Sequence, residues 1–387
     1  MNKTIAVLGA TGSVGMQALD VAEKRGYSVD LISANSNFKE AECFARRFKP
    51  RFVAMADEYC ARQLAQSLED TSIKVLAGES GITEAIAMTS AQVVVNSILG
   101  EAGLMPSIAV IEQGKRLALA NKESLVIAGD IVMAKARHAG VEIIPVDSEH
   151  SAIYQSMKAG KRSEVKSLLL TASGGPFFGK SREEIKKVTL EDTLKHPTWK
   201  MGRKITVDSA TLMNKGFEIV EAAHLFNISP EKIKVLIHRE SILHSAVEYI
   251  DNSIIGEFSS PDMRSCVQYA VDYPDRCEAV CEPLDLLKLG KLTFAEVDEI
   301  NFPLITLAKR AMSEGGAMCA VMNAADEEAV SAFLSEKIAF WQISEVVHQA
   351  YGKCGYASRV KDLEGIIACD REARVRAREI IASIAWV

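Results

Sequence analysis

An apolar run, Ile143-Ile144-Pro145-Val146, ends abruptly in Asp147-Ser148-Glu149-His150. Two carboxylates, a hydroxyl and an imidazole at the end of a short buried strand have two readings. One is a solvated acidic turn. The other is chemical. On an extended backbone residues two apart point to the same side, so Asp147 and Glu149 repel unless a cation or a proton lies between them. Such oxygen ligands suit a hard divalent cation, and in open α/β sheets ligands sit beyond the carboxyl ends of strands. The densest polar stretch of the chain, Asp208-Ser209-Ala210-Thr211-Leu212-Met213-Asn214-Lys215-Gly216-Phe217-Glu218, offers a third carboxylate and then runs into an apolar-periodic helix over 219–226. Three carboxylates with open positions suit Mg2+ or Mn2+ better than Zn2+, because no Cys/His cluster accompanies them. Ser209, Asn214 and Lys215 present a hydroxyl, an amide and an ammonium, a set able to hold a phosphate. Lys215 and Glu218 are three apart and share one helical face; a surface ion pair is the plain alternative.

A second chemistry is written at the N-terminus. Residues 4–8 form a buried-strand run, Gly9-Ala10-Thr11-Gly12-Ser13-Val14-Gly15 follows, and 16–24 reads as a helix. A strand, a glycine-rich turn and a helix N-terminus make a phosphate cradle of the dinucleotide-binding kind; a tight turn with close helix–strand packing is the alternative. The second strand, 29–33, leads into Ala34-Asn35-Ser36-Asn37-Phe38-Lys39. NAD enzymes place an acid here for the ribose 2′-hydroxyl, and Asp30 comes too early. Polar donors with a lysine favour a 2′-phosphate, hence NADP, against a plain Asn/Ser turn. In Leu119-Ala120-Asn121-Lys122-Glu123-Ser124, Lys122 is placed to reach a cofactor or an acidic substrate; a helix N-cap with its first-turn acid is the alternative.

The elements that must position these groups alternate. Strands are expected at 52–55, 73–77, 93–99 and 117–120 with helices between them, a doubly wound parallel sheet over residues 1–146. The segment 147–275 is expected to form an α+β catalytic domain. Its strand 165–172 ends in Ser173-Gly174-Gly175-Pro176-Phe177, an anion cradle or a mobile loop. Lys195-His196-Pro197-Thr198-Trp199-Lys200-Met201-Gly202 reads as a loop that closes over a site or as a packed turn. Strands at 233–238, 243–249 and 254–258 are expected as an antiparallel set, with His238 and His244 structural, and 261–271 as a helix. A linker, 276–301, precedes a C-terminal helical bundle over 302–387, with segments at 304–313, 318–334, 343–351 and 364–385.

The 387 residues call for two or three domains. A net charge of −6 argues against a general nucleic-acid binder. The eight cysteines form no Cys-x-x-Cys pair and read as reduced packing residues. The short N-terminus leaves no room for a signal peptide and no apolar run spans a bilayer, so a cytoplasmic location is expected.

Taken in order, these stretches resemble the 1-deoxy-D-xylulose 5-phosphate reductoisomerases across nearly the whole chain. The resemblance rests on the Gly9–Gly15 turn, Leu119 to Ser124, Val146 to His150, Thr171 to Phe177, His196 to Gly202 and Asn214 to Glu218. It implies a homodimeric, NADPH-dependent enzyme with a divalent metal (Mn2+, Mg2+ or Co2+) that makes 2-C-methyl-D-erythritol 4-phosphate for the non-mevalonate isoprenoid pathway. It implies a Rossmann-like cofactor domain, a catalytic domain with a lid and a C-terminal helical domain. Asp147, Glu149 and Glu218 would hold the metal. Ser148, Glu149, Ser173, His196, Ser209, Asn214, Lys215 and Glu218 would contact the substrate, with Lys122 near both ligands. Thr11, Gly12, Ser13, Val14, Asn121, Glu123 and Gly202 would touch the cofactor, with Asn35, Ser36 and Asn37 beyond the second strand. His196, Pro197, Trp199 and Met201 would form the lid. Two stretches depart from the family pattern: Asn35-Ser36-Asn37 lacks the usual Lys or Arg, and His238-Arg239-Glu240-Ser241 replaces a His-Pro-Gln-Ser turn.

Two rival readings remain at this level. A semialdehyde dehydrogenase-like NADP oxidoreductase shares the glycine turn but needs an acylating cysteine, and Cys266 lies in an apparent helix. A non-catalytic NADP-binding protein needs neither three carboxylates nor a phosphate-binding set.

Overall fold

The computed structural model describes residues 3–195, 199 and 201–384. The chain begins with β1 (Thr4–Leu8), α1 (Ser13–Arg25), β2 (Ser28–Ala34), α2 (Phe38–Phe48), β3 (Phe52–Met55), α3 (Glu58–Ser67), β4 (Lys74–Ala77), α4 (Gly78–Met88) and β5 (Val93–Asn96). It continues with α5 (Leu104–Glu112), β6 (Arg116–Leu119), α6 (Glu123–Ala139), β7 (Ile143–Pro145) and α7 (Ser148–Ser156). Next come β8 (Val165–Ala172), the one-turn helices α8 (Arg182–Ile185) and α9 (Leu190–Thr193), α10 (Arg203–Thr211) and α11 (Met213–Phe226). Then follow β9 (Ile233–Ile237), β10 (Leu243–Tyr249), β11 (Ile254–Phe258) and α12 (Met263–Asp272). The remainder is helical: α13 (Leu286–Leu289), α14 (Leu304–Glu314), α15 (Met318–Leu334), α16 (Phe340–Lys353) and α17 (Leu363–Ile384). Among the described residues no helix is long and apolar enough to cross a membrane.

Contacts divide the chain into two compact units. The first holds the chain up to Ser124, Val132–Ser151 and Asp262–Pro283; the second holds Leu125–Ile131, Ala152–Pro261 and the chain from Leu284 onward. In the first unit seven parallel strands run in the order β4-β3-β2-β1-β5-β6-β7. Their central strands are almost wholly apolar because helices cover both faces. Successive strands step outward from β1 in one direction and then, from β5, in the other. That reversal is a topological switch point, where an α/β sheet opens a crevice for a ligand. The segment carrying α12, expected in the catalytic domain, packs instead on α1 and beside β5 to β7. Asp272 at its end accepts from Lys3 Nζ (2.9 Å) and Tyr27 Oη (2.5 Å), which fastens it there.

In the second unit the sheet order is β11-β10-β8-β9. It is mixed rather than antiparallel: β10 runs antiparallel to β8 and β11, but β9 is parallel to β8. The reason lies in the connection. The chain between β8 and β9 carries α8 to α11, and a crossover of that length is what parallel pairing needs. The C-terminal helices belong to this unit. α14 packs on α11, α15 on α10, α16 and α17. α11 is therefore buried nearly all round. Gly216 sits where α11 meets α14, and a Cβ there would lie 3.0 Å from the Ala308 methyl.

Candidate active site

The glycine turn lies at the switch point of the first unit. Gly9 has φ +75°, a conformation that favours glycine, and a Cβ there would meet the Ser97 carbonyl oxygen at 2.8 Å. A Cβ at Gly15 would lie 2.2 Å from the Gly9 carbonyl, so α1 is held hard against the turn. Ala10 N–H donates to the Ser33 carbonyl (2.7 Å), and Ser97 Oγ donates to the Leu8 carbonyl (2.6 Å). Strands on both sides thus fix the turn. The first turn of α1 has no acidic residue, so its free N–H groups face solvent chemistry suited to a phosphate. Thr11, Gly12 and Val14 are half-buried and Ser13 is exposed. Asn35, Ser36 and Asn37 are all exposed just past β2. Asn37 caps α2, accepting from Glu40 N–H (3.3 Å) and donating to Glu40 Oε2 (2.7 Å).

Asn121 ties the end of β5 to the start of α6. Its amide donates to the carbonyls of Ile98 (2.7 Å) and Gly100 (3.0 Å) and to Glu123 Oε2 (3.0 Å), while its oxygen accepts from Ser124 N–H (3.0 Å). Lys122 is buried and donates to Asp147 Oδ2 at 2.7 Å.

The acidic turn is organised differently from the extended geometry expected. β7 stops at Pro145 and α7 starts at Ser148. Asp147 stands at the helix start, where its Oδ1 accepts from Glu149 N–H (3.1 Å) and lies 3.0 Å from His150 Nδ1. Helix capping, not strand alternation, brings a carboxylate oxygen of Asp147 within 4.8 Å of one of Glu149. The Ser148 hydroxyl donates to Glu149. Burial opposes ionisation of Asp147, but the charges of Lys122 and His150 and their hydrogen bonds override it and hold the carboxyl well below the usual carboxylate range. His150, fully buried, has no role that its residue type alone assigns; its place three residues along a helix from Asp147 is the signal that pairs them.

In the second unit α10 and α11 form two helices broken at Leu212, which has φ +59°. The helix expected from 219 thus begins at Met213. It carries Asn214, Lys215 and Glu218, while Ser209 lies on α10. Lys215 and Glu218 are 3% and 1% exposed, which excludes the surface-pair reading. Glu218 accepts from Asn214 Nδ2 (2.5 Å) and from Lys215 Nζ, and Lys215 also donates to the Thr171 carbonyl (2.5 Å) at the end of β8. Asn214 and Lys215 are thus aimed at the Glu218 carboxylate. Just beyond β8, Ser173 Oγ accepts from Gly175 N–H (3.3 Å), and a Cβ on Gly175 would lie 2.7 Å from the Ser209 carbonyl. The fold brings the Ser173 loop against the Ser209 backbone. Of the residues expected in the lid, the Trp199 ring lies 6.2 Å from that of buried His244, and Met201 is half-buried. Gly202 is the N-cap of α10, its carbonyl accepting from Thr206 Oγ1 (2.8 Å). His196, Pro197, Thr198 and Lys200 lie outside the described residues. Cys266, expected in a helix rather than at a strand end, is buried within α12.

Residues 5–129 match the family model of 1-deoxy-D-xylulose 5-phosphate reductoisomerase. Residues 143–226 match that of its C-terminal domain, and residues 258–376 match a DXP reductoisomerase C-terminal domain. A reductoisomerase of this name from Caldanaerobacter subterraneus subsp. tengcongensis is 48% identical over 378 residues, 97% of this chain and 98% of its own length. One from Acetivibrio thermocellus is 47% identical over 381 residues, 98% of this chain and all of its own. The solved reductoisomerase from Zymomonas mobilis, in complex with NADPH, aligns with a TM-score of 0.92 at 41% identity, over 99% of this chain and 100% of that one. A reductoisomerase in complex with NADPH, fosmidomycin and magnesium gives 0.94 at 36% identity, over 99% of both chains. The chain belongs to the 1-deoxy-D-xylulose 5-phosphate reductoisomerase family.

Proposed function

We propose that Asp147, Glu149 and Glu218 hold the divalent cation with which this chain, using NADPH, rearranges and reduces 1-deoxy-D-xylulose 5-phosphate to 2-C-methyl-D-erythritol 4-phosphate. The product feeds the non-mevalonate isoprenoid pathway. The observation that carries the assignment is how the carboxylates are provided for. Asp147 is kept ionised by Lys122 and His150, and Glu218 is held by Asn214 and Lys215. Ionised oxygens fixed by outer donors are what a hard cation such as Mg2+, Mn2+ or Co2+ takes.

When bound, the cation held by Asp147, Glu149 and Glu218 would polarise a ketone oxygen and a neighbouring hydroxyl of the substrate, and NADPH would be the hydride source for the reduction. Thr11, Gly12, Ser13 and Val14 hold its pyrophosphate side. Asn35, Ser36 and Asn37 face its 2′-phosphate, and Asn121, Glu123 and Gly202 make further contacts. Ser148, Ser173, His196, Ser209, Asn214 and Lys215 grip the substrate, and Lys122 serves both ligands by fixing the charge of Asp147. Binding energy gathered at the phosphate, remote from the reacting carbons, drives closure of the His196, Pro197, Trp199 and Met201 lid and exclusion of water. In this reading the functional parts are a cofactor domain (1–146, with the α12 segment packed against it), a catalytic domain (the rest of 147–275), a linker (276–301) and a helical domain (302–387).

NADPH consumption with 1-deoxy-D-xylulose 5-phosphate tests the assignment. EDTA is expected to stop it and added Mn2+ to restore it. Glu218→Gln is expected to lose activity and Mn2+ affinity together, by at least the roughly 10- to 100-fold seen when outer-shell partners are removed. Full Mn2+-dependent turnover by Glu218→Gln would show the ligand set to be wrong. The eight free thiols support a reducing cytoplasm, and the open edge of the second sheet supports a homodimer.

A further inference from the structure

The turn after β9 contains a cation that no step above uses. Arg239 Nη1 donates to the Ser173 carbonyl at 3.0 Å and to the Gly175 carbonyl at 2.7 Å. Its guanidinium carbon lies 5.5 Å from the centre of the Phe178 ring, which follows the same loop. The base from which Arg239 projects is itself pinned. His238 is fully buried, its Nε2 accepting from the N–H groups of Ile242 (3.2 Å) and Leu243 (3.1 Å) and its Nδ1 donating to the Thr293 carbonyl (2.9 Å). Glu240 accepts from the Thr293 hydroxyl at 2.6 Å. Neither neighbour is free to let the arginine swing away.

What Arg239 does to the loop follows from peptide geometry. Gly174 and Gly175 have φ of +78° and +66°. Two adjacent glycines have many conformations of similar energy, so something must select this one. A trans peptide points its C=O and its N–H in opposite directions. With the Ser173 carbonyl turned onto the guanidinium, Gly174 N–H is turned away from it. A cation on the carbonyl side also polarises the peptide, which makes the N–H side a better anion receiver. The same selection sets the distance between the loop and Ser209, because Gly175 abuts the Ser209 carbonyl.

We infer that Arg239 is the positioning residue of the phosphate subsite: it locks Ser173 to Gly175 in the anion-receiving conformation and acts on the substrate only through that loop. The inference rests on the reading of Ser173 and Ser209 as phosphate contacts.

The test is steady-state kinetics of the full chain with its metal and NADPH, carrying Arg239→Ala, Arg239→Lys or Ser173→Ala, with inorganic phosphate as a competing probe. Losing charged hydrogen bonds of this kind predicts a rise of about tenfold in the KM for deoxyxylulose phosphate in Arg239→Ala. The inhibition constant of phosphate is expected to rise in parallel, the KM for NADPH to stay within about twofold, and Arg239→Lys to fall between the two. An unchanged KM for the sugar phosphate in Arg239→Ala overturns the inference, as does a parallel rise in the KM for NADPH. Should the alanine variant fail to fold, Arg239→Lys decides by the same split. Ser173→Ala separates the two levels. If it raises the sugar-phosphate KM while the Arg239 variants do not, the role of Arg239 alone fails; if it leaves that KM unchanged, the phosphate reading fails and the inference with it.

Discussion

Ser36 is exposed one residue before Asn37 commits its side chain to the α2 N-terminus. That division makes Ser36 the cleaner probe of how NADPH is preferred here without the family's usual Lys or Arg. A carboxylate at this position would repel a 2′-phosphate and accept from a 2′-hydroxyl instead. Ser36→Asp is expected to raise the KM for NADPH about tenfold or more relative to NADH, since a close like charge costs upward of about 1.4 kcal/mol. An unchanged NADPH/NADH ratio would show that the 2′-phosphate is read elsewhere. At this scale the sequence was informative where chemistry follows from residue type: three carboxylates, a lysine at a strand end, serines beside glycines. It was uninformative where a role depends on a partner far along the chain. Nothing in the sequence tells that Arg239 reaches back to carbonyls at 173 and 175, or that the Lys215–Glu218 pair is buried rather than solvated. Burial converts that pair from a weak surface contact into a carboxylate that must keep its donors.

The joint between α10 and α15 carries an element-scale consequence. Lys204 Nζ on α10 lies 2.7 Å from Asp208 and 3.1 Å from Asp326 of α15. It also lies over the Phe217 ring at 4.9 Å. One ammonium thus serves two buried carboxyls, with Glu327 adding further negative charge. Burial, opposed by Lys204 but aided by Asp326 and Glu327, pushes the Asp208 carboxyl up to about 8. The folded chain therefore holds a proton that the unfolded chain releases near pH 4. The stability this contributes is complete below about pH 4 and is lost as pH rises through about 8, at no more than about 1.4 kcal/mol per pH unit. Asp326→Asn replaces one negative charge with an amide able to donate to Asp208. Its melting temperature is expected to exceed that of the unmodified chain at pH 8.5 by about 2 °C or more, with the gap closing by pH 5. The same gap at both values would mean that the proton on Asp208 is not involved. The elements themselves were largely legible because periodicity reports burial. β3, β8, β10, β11 and α15 fall where the pattern puts them. Strand direction in the second sheet was not legible, since hydrophobic pattern does not encode whether β9 enters parallel or antiparallel. The break at Leu212 was hidden as well, because a leucine gives no turn signal.

For the whole molecule the decisive feature is the difference between the two edges of the second sheet. At one edge the segment after β11 and α12 returns to cover β9: Ile237 and Ala295 exchange backbone hydrogen bonds, each 2.9 Å. At the other edge β11 pairs with β10 alone among the described residues. Its sequence, Ile254-Ile255-Gly256-Glu257-Phe258, has neither lysine nor proline to discourage further pairing. Ile254 is 58% exposed and Phe258 46% exposed, and Ile250 beside them is 65% exposed. An uncovered apolar edge strand is a template for another strand, and a second copy of the same edge satisfies it under two-fold symmetry without leaving further edges to propagate. The homodimer proposed above is therefore expected to join through β11, with its interface in the unit that carries Ser173, Ser209 and Glu218. Charged side chains on both protomers of such a pair would face each other across the axis, and like charges opposite one another are destabilising. The double variant Ile254→Lys with Phe258→Lys is therefore expected to sediment as a monomer at micromolar concentration where the unmodified chain sediments as a dimer. A variant that stays dimeric would place the interface elsewhere, and an unmodified chain that is monomeric at that concentration would remove the dimer from the proposal.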